Sequence, residues 1–568
     1  MATYIRLTDY KDSDSKEEGF FKPENRYEAK QEDFPKIPGS PIAYWVSNRV
    51  KEIFDNTKIK ELANAKMGLT TCNNELFVRY WSEVDFIKTN FKWFYYNKAG
   101  GMRKWYGNND YLVNWENDGL EIHKYSNVPL SFNGAPVRAK QYYFRECASW
   151  GLVSSADFNA RYYPHGYIFD VGANAVFAED VTYYLAFFNT YIANNLLKIL
   201  NPTLNYSCGV IAELPIIFPK QESTKQTIET LTQQNIDISK EEWDSRETSW
   251  DFTKNELLKH KSDSKIETAY NNFCKYWSEK FYKLHANEEE LNRLFIDIYE
   301  LQDELTPDVE LKDITILKSE TKIVDDKLVF QADEIMKQFI SYAVGVMFGR
   351  YSLDSNGLVV ANLNQDYPKD TTFEIDDDNV IPVLEDDYFS DDIASRVVNF
   401  VKTTFGAENL NENINFIEKC LGKTIRVYMV KDFYEDHLKR YKKRPIYWMV
   451  SSPKKAFMSL SYMHRYQSDI FARVQNNYLR EYTLKLEGTK DILKQIILDE
   501  SSSNKDKKDA DKKIKDIENK LKELISFDRD VLTSFAQNRV DIDLDDGVKV
   551  NYNKFKDVLY VIKGLDKE

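Results

Sequence analysis

Hydrophobic and polar positions change their period several times along the chain, which predicts several different elements and no repeated unit. TYIRL, at the N-terminus, has the alternation of a short strand. An amphipathic helix is predicted around residues 44–54, and short strand-like runs alternate with loops between 66 and 220. The apolar run 181–200 is interrupted by Thr and Asn, so we predict one core helix there.

The second half of the chain has longer helical patterns. Residues 221–338 are helical and charged, 353–392 are acidic and rich in turns, and a compact region follows from about 396 to 480. Two helical stretches then flank the polar sequence SSSNKDKKDAD, which predicts an antiparallel hairpin, and VKVNY beyond it is predicted as a strand. The second helical stretch carries a coiled-coil seam at Ile514, Ile517, Leu521 and Leu524.

Together these patterns predict a mixed α/β (α+β) fold with several domains. In chain order, the predicted parts are an N-terminal segment with a linker helix (1–65), an α/β domain (66–220), a helical spacer (221–338), a second α/β module (339–480), a coiled-coil helical hairpin (481–538) and a C-terminal strand and tail (539–568). A chain of 568 residues has room for such an arrangement.

Composition narrows the class of protein. The five cysteines lie far apart with no C-x-x-C pair, which argues against disulfides and a cysteine zinc site and favours a reducing compartment. No run of about eighteen apolar residues occurs, and the N-terminus lacks the basic-then-apolar order of a signal peptide. We therefore expect a cytoplasmic protein with no membrane partner.

The chain is acidic, with a net charge of −14 and a pI near 5.2, yet it contains two basic stretches. The first, from Lys92 to Tyr106, has no Asp or Glu, and Gly100-Gly101 would allow a close approach to a partner. Its candidate binding residues, with two amides that follow, are Lys92, Lys98, Arg103, Lys104, Trp105, Tyr106, Asn108 and Asn109.

The second basic stretch spans residues 437–466 and also lacks a carboxylate. Its cations are Lys439, Arg440, Lys442, Lys443, Arg444, Lys454, Lys455 and Arg465. Cations interleaved with aromatic rings suit phosphate and base contacts, whereas a solvated helix face beside a structural aromatic cluster is the alternative. Two such stretches in an acidic chain favour nucleic-acid binding.

No catalytic constellation is visible in the sequence. Asn201-Pro202-Thr203-Leu204 lacks the second proline and the aromatic ring of the N-P-P-aromatic motif with which adenine methyltransferases hold a flipped base. Residues 170–175 fall short of a cofactor glycine turn, and 541–547 fall short of a calcium loop. Ordinary turns explain these three sequences better. The six histidines form no metal motif, so we predict no catalytic, cofactor or metal site.

Several longer stretches resemble the C-terminal portion of the PglX family, the adenine-specific DNA methyltransferases of BREX phage-defence systems. The resemblance covers essentially the whole chain. The stretches are PGSPIAYWVS (38–47), NKAGGMRKWYGNNDYLVNWEN (97–117), YYFRECASWGLVSS (142–155), NPTLNY (201–206), YAVGVMFGRYSLDSNGL (342–358), KDFYEDHLKRYKKRPIYWMVSS (431–452) and RVDIDLDDGVKVNY (539–552).

The resemblance implies that catalysis belongs to a different half of the enzyme. Family members carry the S-adenosyl-L-methionine and N-P-P-aromatic motifs upstream, and this sequence begins after both, so residues 1–65 would follow a missing methyltransferase domain. S-adenosyl-L-methionine is thus implied for the parent enzyme and not for this chain. The methyltransferase N-terminal half and other BREX proteins are implied as partners.

The resemblance also implies double-stranded DNA as a partner. Residues 66–77 are similar to the opening of target-recognition domains in fused restriction–modification enzymes, so 66–220 would be the target-recognition domain and 339–480 a module completing a DNA clamp. The roles then expected are phosphate anchors for Lys98 and Lys104, base-edge readers for Arg103, Asn108 or Asn109, and loop packing for Trp105.

The expected function is DNA target recognition for a restriction-modification-like, antiviral adenine methyltransferase, without methyl transfer by this chain alone. The alternative is a protein-interaction scaffold of the defence complex that has little direct DNA contact. Salt separates the two hypotheses, because protein–DNA affinity falls steeply as the salt concentration rises.

Overall fold

The computed structural model describes residues 1–201 and 203–565 and shows the mixed α/β, multidomain fold expected from the sequence. Its strands are β1 (Ala2–Ile5), β2 (Arg26–Ala29), β3 (Asn64–Lys66), β4 (Val78–Tyr80), β5 (Trp93–Asn97), β6 (Tyr111–Asn114), β7 (Cys147–Gly151), β8 (Ala160–Tyr163), β9 (Tyr167–Phe169), β10 (Ala173–Phe177), β11 (Thr321–Val324), β12 (Lys327–Phe330), β13 (Ile381–Pro382), β14 (Tyr447–Ser451) and β15 (Met458–Tyr462).

Helices dominate the chain after residue 180. They are α1 (Ser13–Phe21), α2 (Asn48–Ile53), α3 (Ile59–Leu62), α4 (Asn74–Phe77), α5 (Glu116–Tyr125), α6 (Val181–Phe188), α7 (Tyr191–Leu200), α8 (Cys208–Ala212), α9 (Glu222–Asp244), α10 (Glu256–Lys259), α11 (Ile266–Tyr299), α12 (Ala332–Met347), α13 (Ile393–Phe405), α14 (Leu410–Leu421), α15 (Ile425–Lys431), α16 (Phe433–Arg440), α17 (Ile470–Arg473), α18 (Arg480–Leu498), α19 (Asn504–Phe527), α20 (Thr533–Asn538) and α21 (Gly547–Asn553).

Two four-stranded sheets form the β part of 66–220, in the orders β3-β10-β7-β8 and β4-β6-β5-β9. Neighbouring strands are antiparallel except β5 and β9, which run parallel with Tyr95 opposite Tyr167. Aromatic and β-branched residues favour these strands, and both faces are covered, so Trp93 and Tyr96 on β5 are buried. The strand-rich pattern predicted for this region is confirmed.

The apolar run 181–200 forms two helices, α6 and α7, and not the single helix predicted. The break falls at Asn189, whose side chain accepts a hydrogen bond from the Ala160 amide at 2.9 Å and donates to the Ala160 carbonyl at 3.0 Å. The Tyr191 amide, at the start of α7, donates to Asn292 Oδ1 at 3.0 Å. The side-chain bonds of Asn189 and Asn292 thus fix the break and anchor it to β8 and α11.

The C-terminal part contains a three-stranded sheet, β13-β15-β14, which α16 contacts through a hydrogen bond from the Tyr447 amide to His437 Nε2 at 3.2 Å. The predicted antiparallel hairpin is confirmed as α18 and α19, which pack along each other. All four residues of the predicted seam are buried. Residues 558–560 return to the sheet, where the Tyr560 amide donates to the Met449 carbonyl at 2.8 Å.

Three local predictions need correction. VKVNY lies in helix α21 and not in a strand, because Val548 and Tyr552 are four residues apart and both face the core. The acidic turn 541–547 is not simply solvated, since Asp545 is tied to β5 and its flank. The linker helix is shorter than 44–54, and Pro202 of the NPTL sequence lies outside the described residues.

Candidate nucleic-acid interface

Residues 92–109, hereafter the first basic loop, are folded into the protein. Left-handed backbone conformations at Ala99, Trp105 and Asn108 coil the loop against β8, where the Tyr162 amide donates to the Trp105 carbonyl at 2.7 Å. None of its four central residues is more than 9% exposed: Arg103, Lys104, Trp105 and Tyr106. The packing therefore encloses the central cations that were expected to contact DNA.

Arg103 belongs to a buried ion-pair network. Its guanidinium donates to Glu242 Oε2 on α9 at 2.6 Å and to the Ser239 carbonyl at 3.1 Å. Glu242 also binds Arg246, which reaches Glu320 at 2.9 Å. Burial acts to raise the pKa of Glu242, but the Arg103 and Arg246 charges outweigh it and lower that pKa below its usual value. The prediction that Arg103 reads base edges is corrected, because its donors are used in the core.

Lys104 and Trp105 share one acceptor on helix α11. Lys104 Nζ lies 2.6 Å from Glu288 Oε2, and Trp105 Nε1 donates to Glu288 Oε1 at 2.7 Å. An ammonium that is buried and paired in this way does not reach a phosphate, so the predicted anchoring role of Lys104 is corrected. Trp105 packs the loop onto the core, as predicted.

The outer lysines of the first basic loop are also paired. Lys92 Nζ lies 2.8 Å from Asp545 Oδ2, which Lys88 contacts at 2.9 Å, while Trp93 Nε1 donates to Asp545 Oδ1 at 2.9 Å. Lys98 Nζ lies 3.6 Å from Asp170 Oδ2. Both Lys92 and Lys98 are half-buried. The phosphate role predicted for Lys98 therefore competes with an existing partner.

The glycines and asparagines of this loop serve its internal packing. A Cβ on Gly107 would lie 2.3 Å from Arg103 Nε, and one on Gly100 would lie 2.8 Å from Asn108 Nδ2. Asn108 donates to the Gly101 carbonyl at 2.9 Å. Asn109 is 2% exposed, and within the described residues neither of its amide atoms has a hydrogen-bond partner. The base-reading prediction for Asn109 is corrected because the side chain is enclosed.

The second basic stretch, 437–466, is built around the buried hairpin β14–β15. His437 and His464 lie in its core, and burial, together with the Arg350 charge, lowers the pKa of His464 to about 3. The histidines therefore add no positive charge near pH 7. The positive charge of this stretch near pH 7 therefore comes from its lysines and arginines.

Several of those cations have partners inside the protein. Arg440 lies 3.3 Å from Glu247, Lys442 lies 2.7 Å from Asp110, and Arg444 lies 3.7 Å from Glu83, while Arg465 donates to the Asp376 carbonyl at 2.7 Å. The exposed members are Lys439, Lys442, Lys443, Lys454 and Lys455, of which Lys442 is the one paired with Asp110. Lys443 donates to the Lys563 carbonyl and Lys455 to the Tyr560 hydroxyl, each at 3.0 Å. The stretch is therefore only partly available as a phosphate-binding surface.

A cleft of about 580 Å³ brings the two basic stretches together. Asn108 and Asp110 line it together with Lys439, Arg440 and Lys442. Its charged lining, however, is balanced between carboxylates (Asp110, Glu247, Glu320, Glu334 and Asp436) and cations (Arg246, Lys318, Lys439, Arg440 and Lys442). Such a cleft can hydrogen-bond a polar ligand, but it carries no excess of positive charge to attract a phosphate backbone.

A third basic stretch, hereafter the 122–145 segment, was missed in the sequence. It contains no Asp or Glu between Glu121 and Glu146. Its cations are Lys124, Arg138, Lys140 and Arg145. The absence of carboxylates was a signal of a basic surface in the sequence, but four cations over 24 residues form no dense cluster. The acidic partners of the first basic loop had no local signal, because Glu242 follows Arg103 by 139 residues.

Neither a metal centre nor a membrane span emerges from the geometry. Within 1–201 and 203–565, no group of three or more His, Cys, Asp or Glu side chains is placed to hold a metal ion. Over the same residues, no helix combines the length and apolar character that crossing a bilayer requires. Of residues 170–175, the first three form the turn between β9 and β10, with Asp170 Oδ1 accepting from the Gly172 amide at 2.6 Å, as expected for an ordinary turn.

Comparison with known proteins identifies two close matches in sequence, although no protein-family model matches the chain. The adenine-specific methyltransferase PglX of Lacticaseibacillus casei (strain Zhang) is 39% identical over 98% of this chain and 48% of its own length. The adenine-specific methyltransferase BrxX of Escherichia coli O9:H4 (strain HS) is 36% identical over 94% of this chain and 46% of its own. The chain spans about half the length of the curated relatives it matches, and over that span it is PglX/BrxX-like.

Proposed function

We propose that the chain is the DNA target-recognition part of a site-specific adenine DNA methyltransferase in a BREX-type phage-defence system. The observation that carries the proposal is the similarity to adenine-specific methyltransferases along 98% of the chain. An adenine methyltransferase that acts at chosen sites needs a surface that holds duplex DNA in register, besides the site that transfers the methyl group. Two α/β regions joined by long helices supply an extended scaffold for that surface.

In this proposal the upstream half of the enzyme binds S-adenosyl-L-methionine and transfers the methyl group. The partners of the chain are double-stranded DNA, that methyltransferase half and other proteins of the defence system. We expect the purified chain to show no binding of S-adenosyl-L-methionine by calorimetry. Micromolar binding, or methylation of DNA by the chain alone, would contradict this division of roles.

The deciding experiment is an exchange of recognition regions. The chain is joined to an upstream methyltransferase half, and the corresponding region of the Lacticaseibacillus casei relative is joined to the same half. Sequencing of methylated sites should show that the methylated motif follows the exchanged region. If the motif stays with the common upstream half, this chain does not select the target.

A second candidate function is a protein-interaction scaffold, and one observation of the geometry favours it. Seven predicted DNA-contacting cations are engaged by carboxylates within the protein: Lys92, Lys98, Arg103, Lys104, Arg440, Lys442 and Arg444. A scaffold would bind its partner with little dependence on salt, whereas a DNA clamp would lose affinity steeply between about 50 and 200 mM salt. Partner binding that is insensitive to salt, without DNA binding, would favour the scaffold.

A further inference from the structure

We infer that the 122–145 segment is the surface with which the chain grips duplex DNA, in place of the two basic stretches singled out in the sequence. The inference deepens the proposed function and depends on it, since it names the part of the protein that meets the DNA. It rests on three features of the segment: the availability of its cations, its fixed loop conformation and its exposed apolar tip.

The cations of the segment are not neutralised by the protein. In the part of the chain that the structure describes, no carboxylate lies within ion-pairing distance of Lys124, Arg138, Lys140 or Arg145. Lys66 on β3, equally without such a partner, lies over the Tyr142 ring, which Arg145 also contacts. Cations clustered without nearby acids produce the local positive field that attracts a phosphate backbone, even in a protein of net charge −14.

The loop 128–141 within the segment is closed by its own hydrogen bonds. Asn133 donates to Gln141 Oε1 at 2.9 Å and accepts from the Lys140 amide at 3.2 Å, while Lys140 Nζ donates to the Leu130 carbonyl at 2.8 Å. The Thr70 amide donates to the Pro136 carbonyl at 3.0 Å, which ties the loop to the segment after β3. A loop held in this way loses little conformational entropy when it binds.

Apolar side chains are exposed at the tip of this closed loop. Leu130 is 42% exposed and Phe132 is 36% exposed, and Tyr125 stands exposed at the end of α5. Apolar wedges of this type, flanked by cations, are used by DNA-binding proteins to contact or separate base steps while cations hold the phosphates. We therefore assign the phosphate contacts to Lys124, Arg138 and Arg145 and the base contacts to Leu130 and Phe132.

Lys140 has a different part, because its ammonium is already used within the loop. It contacts the Leu130 carbonyl and lies 3.5 Å from His123 Nε2, so it holds the tip in position. Acidic residues flank the segment at Asp118 and Glu121, and Glu121 accepts a hydrogen bond from Asn114. These flanking carboxylates confine the positive surface to the loop and limit the length of DNA it can contact.

The test measures binding of the chain to a short fluorescent duplex by anisotropy, between about 50 and 200 mM salt. The variant Lys124→Ala/Arg138→Ala/Arg145→Ala should reduce the slope of log affinity against log salt by about 2 to 3 units and weaken binding roughly 100-fold at about 0.1 M salt. The matched control is Lys505→Ala/Lys508→Ala/Lys512→Ala, which removes three exposed lysines of helix α19. The control should leave the slope nearly unchanged.

A second pair of variants tests the apolar tip separately from charge. Leu130→Ala/Phe132→Ala should weaken binding with an unchanged salt slope, while Phe91→Ala, at a ring 77% exposed beside the first basic loop, should have little effect. The thermal midpoint of each variant is measured to show that the fold is intact.

The outcomes separate the two proposals. If the unsubstituted chain binds DNA and the triple variant binds with the same affinity and slope, the inference is overturned while the proposed function stands. If the unsubstituted chain does not bind the duplex even at about 50 mM salt, the proposed function fails together with the inference.

Discussion

The first basic loop and the 122–145 segment have similar local compositions, but only the cations of the first basic loop are paired with carboxylates. Both are rich in cations and aromatic rings, and neither contains a carboxylate between its first and last cation. In the first basic loop every Lys and Arg has a carboxylate partner, with Glu242 and Glu288 the most deeply buried of these. In the 122–145 segment, the cations have no such partner among the described residues.

The difference shows that charge counted along a sequence is not charge available at a surface. The acids that neutralise the first basic loop come from the turn after β9, α9, α11 and the turn before α21, between 72 and 453 residues away. A buried cation without a counter-charge is very costly, so these acids are required for the loop to fold inward. The 122–145 segment remains cationic because the fold brings no acid to it.

The largest effect is expected from removing the acid that holds Arg103. Glu242→Gln leaves the buried Arg103 guanidinium without a charged partner, and we expect a loss of about 3–5 kcal/mol of unfolding free energy. Denaturant titration followed by tryptophan fluorescence measures it. Glu241→Gln, at an exposed neighbour on the same helix, is the control and should cost less than about 1 kcal/mol. Equal effects at the two sites would show that the ion pair does not hold the loop inward.

A smaller, pH-dependent effect is expected at Asp545. Burial acts to raise the pKa of this carboxyl, but hydrogen bonds from Lys92, Lys88 and Trp93 outweigh it and lower the pKa below its ordinary 3.8. A carboxyl with a lowered pKa in the folded state stabilises the fold above about pH 4, and this contribution is lost as the pH falls through the folded pKa. Asp545→Asn should therefore cost about 1–2 kcal/mol at pH 7 and lose less stability on acidification than the unsubstituted chain.

Denaturation midpoints between pH 7 and pH 2.5 measure this difference. Asp543→Asn, two residues before Asp545, is the control, because its side chain makes only a local contact with the Asp545 amide. Parallel pH profiles for Asp545→Asn and the unsubstituted chain would rule out a contribution from the Asp545 pairs.

Features that depend on local periodicity were predictable from the sequence. The α18–α19 hairpin follows from its seam spacing, and β6 follows from YLVNW. VKVNY was compatible with a helix as well as with a strand. Its alternation suits a strand, but the four-residue separation of Val548 and Tyr552 places both on one face of a helix. The burial of Arg103 could not be predicted, because it depends on a glutamate that only the tertiary fold brings near.

The exposed part of the second basic stretch tests whether phosphate contacts extend beyond the 122–145 segment. Lys439 is exposed and has no carboxylate partner in the described part of the chain, whereas Lys442 is paired with Asp110 at 2.7 Å. If the cleft wall touches DNA, Lys439→Ala should lower the salt slope by about one unit, and Lys442→Ala should lower it less. An unchanged slope for both would limit the phosphate contacts to the 122–145 segment.

The sharpest comparison comes from one lysine of each region. Lys98 is half-buried with its ammonium 3.6 Å from Asp170, and Lys124 is exposed at the end of α5. Since only an ammonium that is free to displace counterions contributes to the salt slope, Lys124→Ala should reduce that slope by about one unit and Lys98→Ala should leave it unchanged. Anisotropy titrations of the two variants at four or five salt concentrations measure the slopes side by side. A reduced slope for Lys98→Ala alone would reverse the assignment, because the first basic loop would then have to open from its carboxylate partners when DNA binds.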